Sequence, residues 1–152
     1  MTNYAEAGAG LQDFMHAHVP LAKAGGITVS HYDGQSLSMT APLALNINDK
    51  GTAFGGSLQN LSVMLCWGMT FLKAKEMNLP GDIVVASSDM QFLRPLKEDL
   101  VATVRSPAED VLEQFSAYFK EKGRASIKYE VEVLNAAGEV CATCKAKFAL
   151  LS

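Results

Sequence analysis

The sequence predicts an α+β fold in which an antiparallel sheet of about six strands wraps around one long central helix, with short helices flanking it. Two observations lead to this prediction. The segment 58–72 is apolar on nearly every side, so a helix formed there needs apolar neighbours all around it. Most of the remaining chain alternates apolar and polar residues, which is typical of strands with one wet face.

Length, charge and hydrophobic patterning limit the classes of protein to which this chain can belong. A chain of 152 residues that is 49% hydrophobic fits one domain, 1–152, with a packed core. A net charge of −3 gives no basic field, so we expect no nucleic-acid partner. Polar residues interrupt the segment 58–72 before it reaches the roughly 18 to 20 apolar residues of a membrane span. The N-terminus lacks a signal-peptide pattern, and we therefore expect a cytoplasmic protein.

Cysteine and histidine spacing predicts neither disulfides nor a metal site. Three cysteines suit a reducing compartment, and Cys141 and Cys144 are spaced so that a strand sends them to opposite faces. His16 and His18 lie two apart on a helix, while His31 lies in a strand. We interpret all of these residues as ordinary packing or solvation.

The first third of the chain predicts a helical arm and a hairpin. Leu11, Phe14 and Met15 fall on one helical face that stops at Pro20, so residues 1–22 are expected to form the arm. Segments 27–32 and 35–41 alternate around an Asp-Gly turn, which is typical of two antiparallel strands.

A glycine-rich turn then leads into the central helix, predicted over 55–77. Gly51, Gly55 and Gly56 allow backbone conformations and close approaches that other residues forbid. The helix that starts there directs unpaired N–H groups and its positive dipole end outwards. This arrangement can polarise a carbonyl or hold an anion.

The second half predicts four more strands and a helix. Strands are expected over 83–93, 100–105, 125–133 and 140–148, the last two forming a hairpin. Between them, a capping-box pattern from Ser106 to Glu109 with Pro at the first helical position predicts a helix that ends before Gly123. Its buried side is expected to consist of Val111, Leu112, Phe115 and Phe119.

Six strands cannot cover both the helix and the two sheet edges, so we expect the chain to pair with itself. The apolar segment 83–93 is the expected interface strand. The predicted assembly is a homodimer or a dimer of dimers.

These residues resemble the acyl-thioesterase branch of the hot-dog superfamily. The resemblance rests on Asn48, the run Gly51-Thr52-Ala53-Phe54-Gly55-Gly56 and the helix after it, and on Phe92-Leu93-Arg94-Pro95. More narrowly, segments 41–44, 54–57, 82–84 and 123–125 are similar to the thioesterase-type domain found alone or C-terminal to GNAT-type acetyltransferases in bacteria.

The resemblance implies roles for particular residues. The Gly55 N–H would donate to a thioester carbonyl, Asn48 would orient substrate or water, and Ser87 matches a position that holds water. The helix residues expected to contact substrate are Phe54, Gly56, Ser57 and Asn60. Related enzymes carry a helix carboxylate where this chain has Val63, and Phe54 replaces their usual His.

Two carboxylates remain as candidate general bases. Asp89 shares a strand face with Ser87 and Gln91, and Asp49 lies in the loop beside Asn48. Each also has a structural interpretation, Asp49 as a turn residue and Asp89 as a partner for Arg94 or a lysine. A basic set could similarly hold a coenzyme A phosphate or form a solvated face: Lys122, Arg124, Lys128, Lys145 and Lys147.

Two functions follow from these expectations. The first is an acyl thioester hydrolase that acts on acyl-CoA or acyl-carrier protein, with coenzyme A or phosphopantetheine present only as part of the substrate. The second is a non-hydrolytic module that binds acyl thioesters, which Val63 in place of the helix acid favours. A hot-dog dehydratase would need a His near the glycine pair, where this chain has Phe54.

Overall fold

The computed structural model describes residues 2–152, and it confirms the predicted fold class of one antiparallel sheet around a central helix. The helices are α1 (Tyr4–His18), α2 (Pro20–Ala24), α3 (Gly55–Glu76) and α4 (Glu109–Lys122), with a short 3₁₀ turn at Leu43–Leu45. The strands are β1 (Thr28–Tyr32), β2 (Ser36–Ala41), β3 (Asp82–Phe92), β4 (Leu100–Arg105), β5 (Arg124–Leu134) and β6 (Val140–Leu151).

The sheet has the strand order β1-β2-β4-β5-β6-β3, and every pair is antiparallel. Along β5, side chains alternate strictly between exposed and buried, from Arg124 outwards to Val133 inwards. The buried set faces α3, which packs across β2, β4, β6 and β3. We call the face toward α3 the inner face and the opposite one the outer face.

Helix α3 is buried on most sides, as its sequence predicts. Twelve of its 22 residues are buried, and the helix ends one residue short of the predicted boundary. At Gly68 a Cβ atom would lie 3.0 Å from Leu11 and from Met39, so α1 and β2 both meet the helix there. No helix within residues 2–152 is long and apolar enough to cross a membrane.

The N-terminal arm lies along the edge of β1 that is not paired with β2. Asn3 caps α1 by accepting the Glu6 N–H, and the Gln12 side chain accepts the backbone N–H of Val29 at 2.8 Å. His16 Nε2 donates to the Ile27 carbonyl at 2.6 Å. Pro20 ends the α1 pattern as predicted but also starts α2, so the helical arm extends to residue 24 rather than 22.

A charged cluster around the buried Lys73 joins the far end of α3 to the β1–β2 turn. The Lys73 ammonium donates to the Gly34 carbonyl at 2.6 Å and to Glu76 at 3.2 Å. Tyr32 donates to the same Glu76 carboxylate, and burial raises the pKa of this phenol well above its usual value. Because Lys73 is only 7% exposed, these bonds replace the water that its charge has lost.

Helix α4 begins later than its sequence predicts. The expected capping box does not form, because Ala108 is the N-cap residue and the Ser106 hydroxyl donates to the Pro107 carbonyl instead. Phe115 and Phe119 are buried as expected, whereas Val111 is 41% exposed. The helix packs on β5, whose first residues extend beyond the β4 pairing, and it ends at Gly123 in the left-handed conformation.

Strand β3 pairs with β6 along one side and leaves its other side bare within the described residues. Its exposed apolar residues include Val84, Val85 and Phe92, the last at 58% exposure. A bulge at Ala86 shifts the register, because Val85 and Ser87 lie opposite neighbouring residues of β6. Val85, rather than Val84, therefore shares the inner face with Ser88.

Candidate active site

The loop that leads into α3 is held in place at its base by Asn46. This side chain is 5% exposed and donates to the carbonyls of Gly25 and Pro42, both at 2.8 Å. The backbone carbonyl of Asn46 accepts the Phe54 N–H, and the Ala53 N–H donates to the backbone carbonyl of Leu96. A buried amide with this many partners fixes the path of the chain into the helix.

Asn48 organises the tip of the same loop. Its Oδ1 accepts the backbone N–H groups of Lys50 at 2.9 Å and Thr52 at 3.1 Å. Its Nδ2 donates to the Thr52 hydroxyl at 2.9 Å and to the Ala53 carbonyl at 3.4 Å. Gly51 has a φ of +79°, which a side chain would strain. Both ends of the Asn48 amide are therefore engaged in the loop that precedes Gly55.

The first turn of α3 presents free backbone donors. Phe54 is the N-cap residue and makes no side-chain capping bond. Within residues 2–152, the N–H groups of Gly55 and Gly56 have no hydrogen-bond partner, whereas those of Ser57 and Leu58 donate to the Phe54 carbonyl. These two N–H groups and the helix dipole create a local positive potential.

A small cleft of about 310 Å³ lies in front of this helix start. The ring of Phe92 lies at one side, 3.4 Å from where a Cβ of Gly55 would be. The Phe54 ring lies over Gly56, where it leaves no room for a Cβ. The other lining residues are mostly apolar: Ala53, Leu58, Leu93, Arg94, Pro95 and Leu96. Arg94 is paired with Glu139 at 3.4 Å.

Asp89 does not lie where the sequence-based hypothesis requires. The prediction that Ser87, Asp89 and Gln91 share a face is right, but that face is the outer one, because Asp89 pairs with Lys145 across the strands. Its exposed carboxylate accepts from the Gln91 amide at 3.2 Å. The expectation that Asp89 reaches a water at the start of its own α3 is therefore wrong.

Asp49 and Glu76 also do not line the cleft at Gly55. Asp49 is 82% exposed and pairs with Lys50, which agrees with its interpretation as a turn residue. The only acidic residue of α3 is Glu76, which is bound in the cluster at the opposite end of the helix. Val63 is half-buried on the helix. No acidic side chain of the described residues lines the cleft at the start of α3, where the donors are backbone N–H groups and the Arg94 guanidinium.

Three further predicted residues occupy different surroundings. Ser57 lies half-buried in the first turn of α3, beside the free N–H groups. Asn60 donates to the Leu21 carbonyl of α2 at 3.4 Å, so its amide is turned toward the N-terminal arm. Ser87 is exposed on the outer face opposite Lys147, separated from the helix start by the sheet.

Sequence reasoning missed a polar bridge between α3 and β3. The Gln59 amide nitrogen donates to the Ser88 hydroxyl at 2.5 Å, and Ser88 lies on the inner face opposite Ala146. Burial raises the pKa of the nearby Cys144 thiol, and a hydrogen bond with Ser88 partly offsets the rise. Ser62, one turn further along α3, is fully buried and its hydroxyl has no partner. The sequence did carry a signal for this bridge: a glutamine four residues after Gly55 lies on the same face of the helix as Gly55.

The remaining sequence candidates form no additional site in the part of the chain described. All three cysteines are free and buried, and burial raises the pKa of Cys66. No group of three or more potential ligands among residues 2–152 could hold a metal ion. Of the basic set, Lys128 and Lys147 lie side by side on the outer face, and Lys145 lies between Glu130 and Asp89. Both interpretations of that face remain predictions.

A protein family and several solved structures are similar to this chain over nearly its whole length. A family model described as "Putative thioesterase (yiiD_Cterm)", named YiiD_C, matches residues 9–152. The crystal structure of a protein of unknown function from Chlorobaculum tepidum TLS is similar at 35% identity, with a TM-score of 0.95 over 97% of this chain and 96% of that one.

Two further solved structures share the fold. A protein of Shewanella oneidensis, described as "putative thioesterase", is 28% identical with a TM-score of 0.87 over 97% of this chain and 99% of that one. The PaaI protein of the E. coli phenylacetic acid degradation operon is 20% identical, with a TM-score of 0.62 over 99% and 97% of the two chains. The described architecture is that of the hot-dog thioesterases.

Proposed function

The chain belongs to the YiiD_C thioesterase family, and on this premise we propose that it hydrolyses acyl thioesters of coenzyme A or of an acyl-carrier protein. The observation that carries the proposal is the pair of unpartnered N–H groups at Gly55 and Gly56. Donors of this kind, fixed in advance and facing a small cleft, stabilise the negative charge that develops on a carbonyl oxygen under attack.

The reaction follows from this polarisation. The thioester oxygen accepts from the Gly55 N–H, and the Gly56 N–H and helix dipole add to the positive potential. A water oxygen bonds to the carbonyl carbon, and the carbon–sulfur bond breaks. One proton of the water passes to the thiolate that leaves, and the second is released when the product acid ionises. Asn48 contributes by holding the loop that positions Gly55.

We further propose that two copies pair through β3. An 11-residue strand with a bare edge and exposed Val84, Val85 and Phe92 invites association with an identical strand. Because Phe92 also borders the cleft at Gly55, such pairing would place the partner beside the site. The acyl chain would then lie along α3 between subunits in a homodimer or a dimer of dimers.

The remaining parts of the proposal concern the cellular setting. Coenzyme A or phosphopantetheine enters as part of the substrate, with no separate cofactor. Three free, buried cysteines support a reducing compartment, which we take to be the cytoplasm, and we propose fatty acid metabolism as the setting of the substrate.

A second candidate function is binding of acyl thioesters without hydrolysis. It is favoured by the lining of the cleft at Gly55, which contains no Asp, Glu or His of the described residues. Backbone N–H groups and the Arg94 guanidinium can polarise a carbonyl there, but no lining side chain is a strong proton acceptor.

One experiment separates the two functions. Purified protein is incubated with a panel of acyl-CoAs and acylated carrier proteins. The release of free thiol is followed with time, and the mass of the acyl group is measured by mass spectrometry. Thiol release that scales with protein concentration is the expected result. Binding without thiol release would favour the second function, and a changed acyl mass on an intact thioester would reveal a different reaction.

A further inference from the structure

The Gln59 amide lies one helical turn beyond the free N–H groups, on the side of α3 that faces β3. Residues i and i+4 of a helix share a face, and side chains lean toward the helix N-terminus, so Gln59 covers the turn that Gly55 begins. Contacts made by two residues on the inner face of β3 agree with this placement of Gln59. Ser88 binds Gln59, and Phe92, on the same strand face, packs against Gly55.

Ser88 fixes which way this amide points. The Gln59 nitrogen donates to the Ser88 hydroxyl at 2.5 Å. Since the amide is planar, a nitrogen held at Ser88 turns the Gln59 oxygen away from β3. Among residues 2–152, no donor reaches that oxygen. Half-buried and without a donor, this oxygen is an acceptor oriented in advance one helical turn beyond Gly55.

We propose that Gln59 positions the water that attacks the thioester carbonyl, and that Ser88 holds Gln59 in place. This inference rests on the proposed hydrolysis. The Gln59 oxygen accepts one O–H of the water, which leaves a lone pair of the water oxygen free to bond to the carbonyl carbon. Gln59 takes no proton. The proton moves to the departing sulfur, and the gain comes from orientation, which is worth large factors when a reactant is held correctly.

The inference explains how a site with no helix carboxylate can hydrolyse a thioester. Val63 occupies the position expected for an acid, whereas Gln59 and Ser88 supply polar groups from α3 and β3. Thiolates leave readily, so orientation of water and polarisation of the carbonyl replace a strong base in this scheme. Ser88 acts only through Gln59 and is therefore a positioning residue.

The test measures kcat and KM for four variants on the best acyl thioester of the panel. Gln59→Ala should lower kcat by roughly 10- to 100-fold with KM changed less than about threefold, because the water loses its orientation. Ser88→Ala should lower kcat less, and the double variant should match Gln59→Ala alone, since the two residues act as one unit. Ser62→Ala, on the same helix face, removes a hydroxyl without a partner and should retain wild-type kcat.

Gln59→Glu provides a measurement that would not change if Gln59 had only a structural role. It keeps the shape of the side chain but places a carboxylate at the water, so activity should return and rise with pH through the titration of that carboxylate. Wild-type kcat in Gln59→Ala, strictly multiplicative losses in the double variant, or a Gln59→Glu protein as inactive as Gln59→Ala would each overturn the inference. A wild-type protein inactive on the whole panel would overturn the proposed hydrolysis as well.

Discussion

Replacing Asn48 with Ala should lower both stability and activity, because its side chain holds the loop that places Gly55. The variant loses bonds at 2.9, 3.1 and 2.9 Å and a longer one at 3.4 Å. Each net bond contributes about 0.5–1.5 kcal/mol, and water replaces part of the loss at this half-buried position. We therefore expect unfolding free energy to fall by about 1–3 kcal/mol.

The effect on activity should be larger than this loss suggests. A shift of the Gly55 N–H by a fraction of an ångström weakens its bond to the developing oxyanion, and misplacement by about 1 Å can cost 100-fold. We expect kcat/KM for thiol release to fall by roughly tenfold or more. Urea unfolding and steady-state kinetics on the same preparation measure both quantities.

Two comparisons make the reasoning refutable. Lys50→Ala changes the same loop but leaves the backbone N–H that Asn48 binds, so it should behave as wild type. Wild-type kcat/KM in Asn48→Ala would refute a role for the loop in positioning the helix start. A large loss of activity with no loss of stability would instead indicate direct contact between Asn48 and substrate.

Other predictions concern the carboxylates, the assembly and the buried cluster. Asp89→Asn and Asp49→Asn should each change thiol release less than about twofold, given their exposed positions; a 100-fold loss in the first would restore Asp89 as a base. Light scattering at micromolar concentration should give at least twice the 16.3 kDa of one chain, and Val85→Lys should shift the mass toward the monomer; a monomeric wild type would contradict pairing through β3. Lys73→Met should lower unfolding free energy by about 1–3 kcal/mol, because the Gly34 carbonyl and the Glu76 carboxylate both lose the ammonium donor, whereas exposed Lys75→Met should cost about 0.5 kcal/mol or less; equal losses would rule out the Lys73 bonds as the cause.

The fold could be predicted because side-chain periodicity directly reports which faces are buried. The alternation along β5 shows that one face of the sheet is buried, and the all-round apolar character of α3 requires apolar neighbours on several sides; together they favour a sheet curled around a helix. The start of α4 was mispredicted for a local reason. A Ser-x-x-Glu pattern satisfies the capping rule in isolation, but here the Ser106 hydroxyl bonds to the Pro107 carbonyl.

The site was harder to predict because it depends on pairing between distant strands. Alternation correctly grouped Asp89 with Ser87, yet only the pairing with β6 decides whether that group faces α3 or solvent. Similarly, Gln59 looks like an interruption of an apolar helix until Ser88, 29 positions away, is placed beside it. The turn before Gly55 was recognisable because its glycines and Asn48 act within ten residues.

The arm formed by α1 has a consequence for how many neighbours one molecule can bind. By supplying Gln12 to the Val29 N–H, the arm occupies the β1 end of the sheet, and β3 remains the open end in the described residues. If two copies pair through β3 as we propose, a sheet with one open end limits this edge-to-edge pairing to two chains, and a dimer of dimers would form through another surface. In a chain without α1, the edges of β1 and β3 would both be open. Chains could then add repeatedly at both edges of the sheet and form fibres rather than closed pairs.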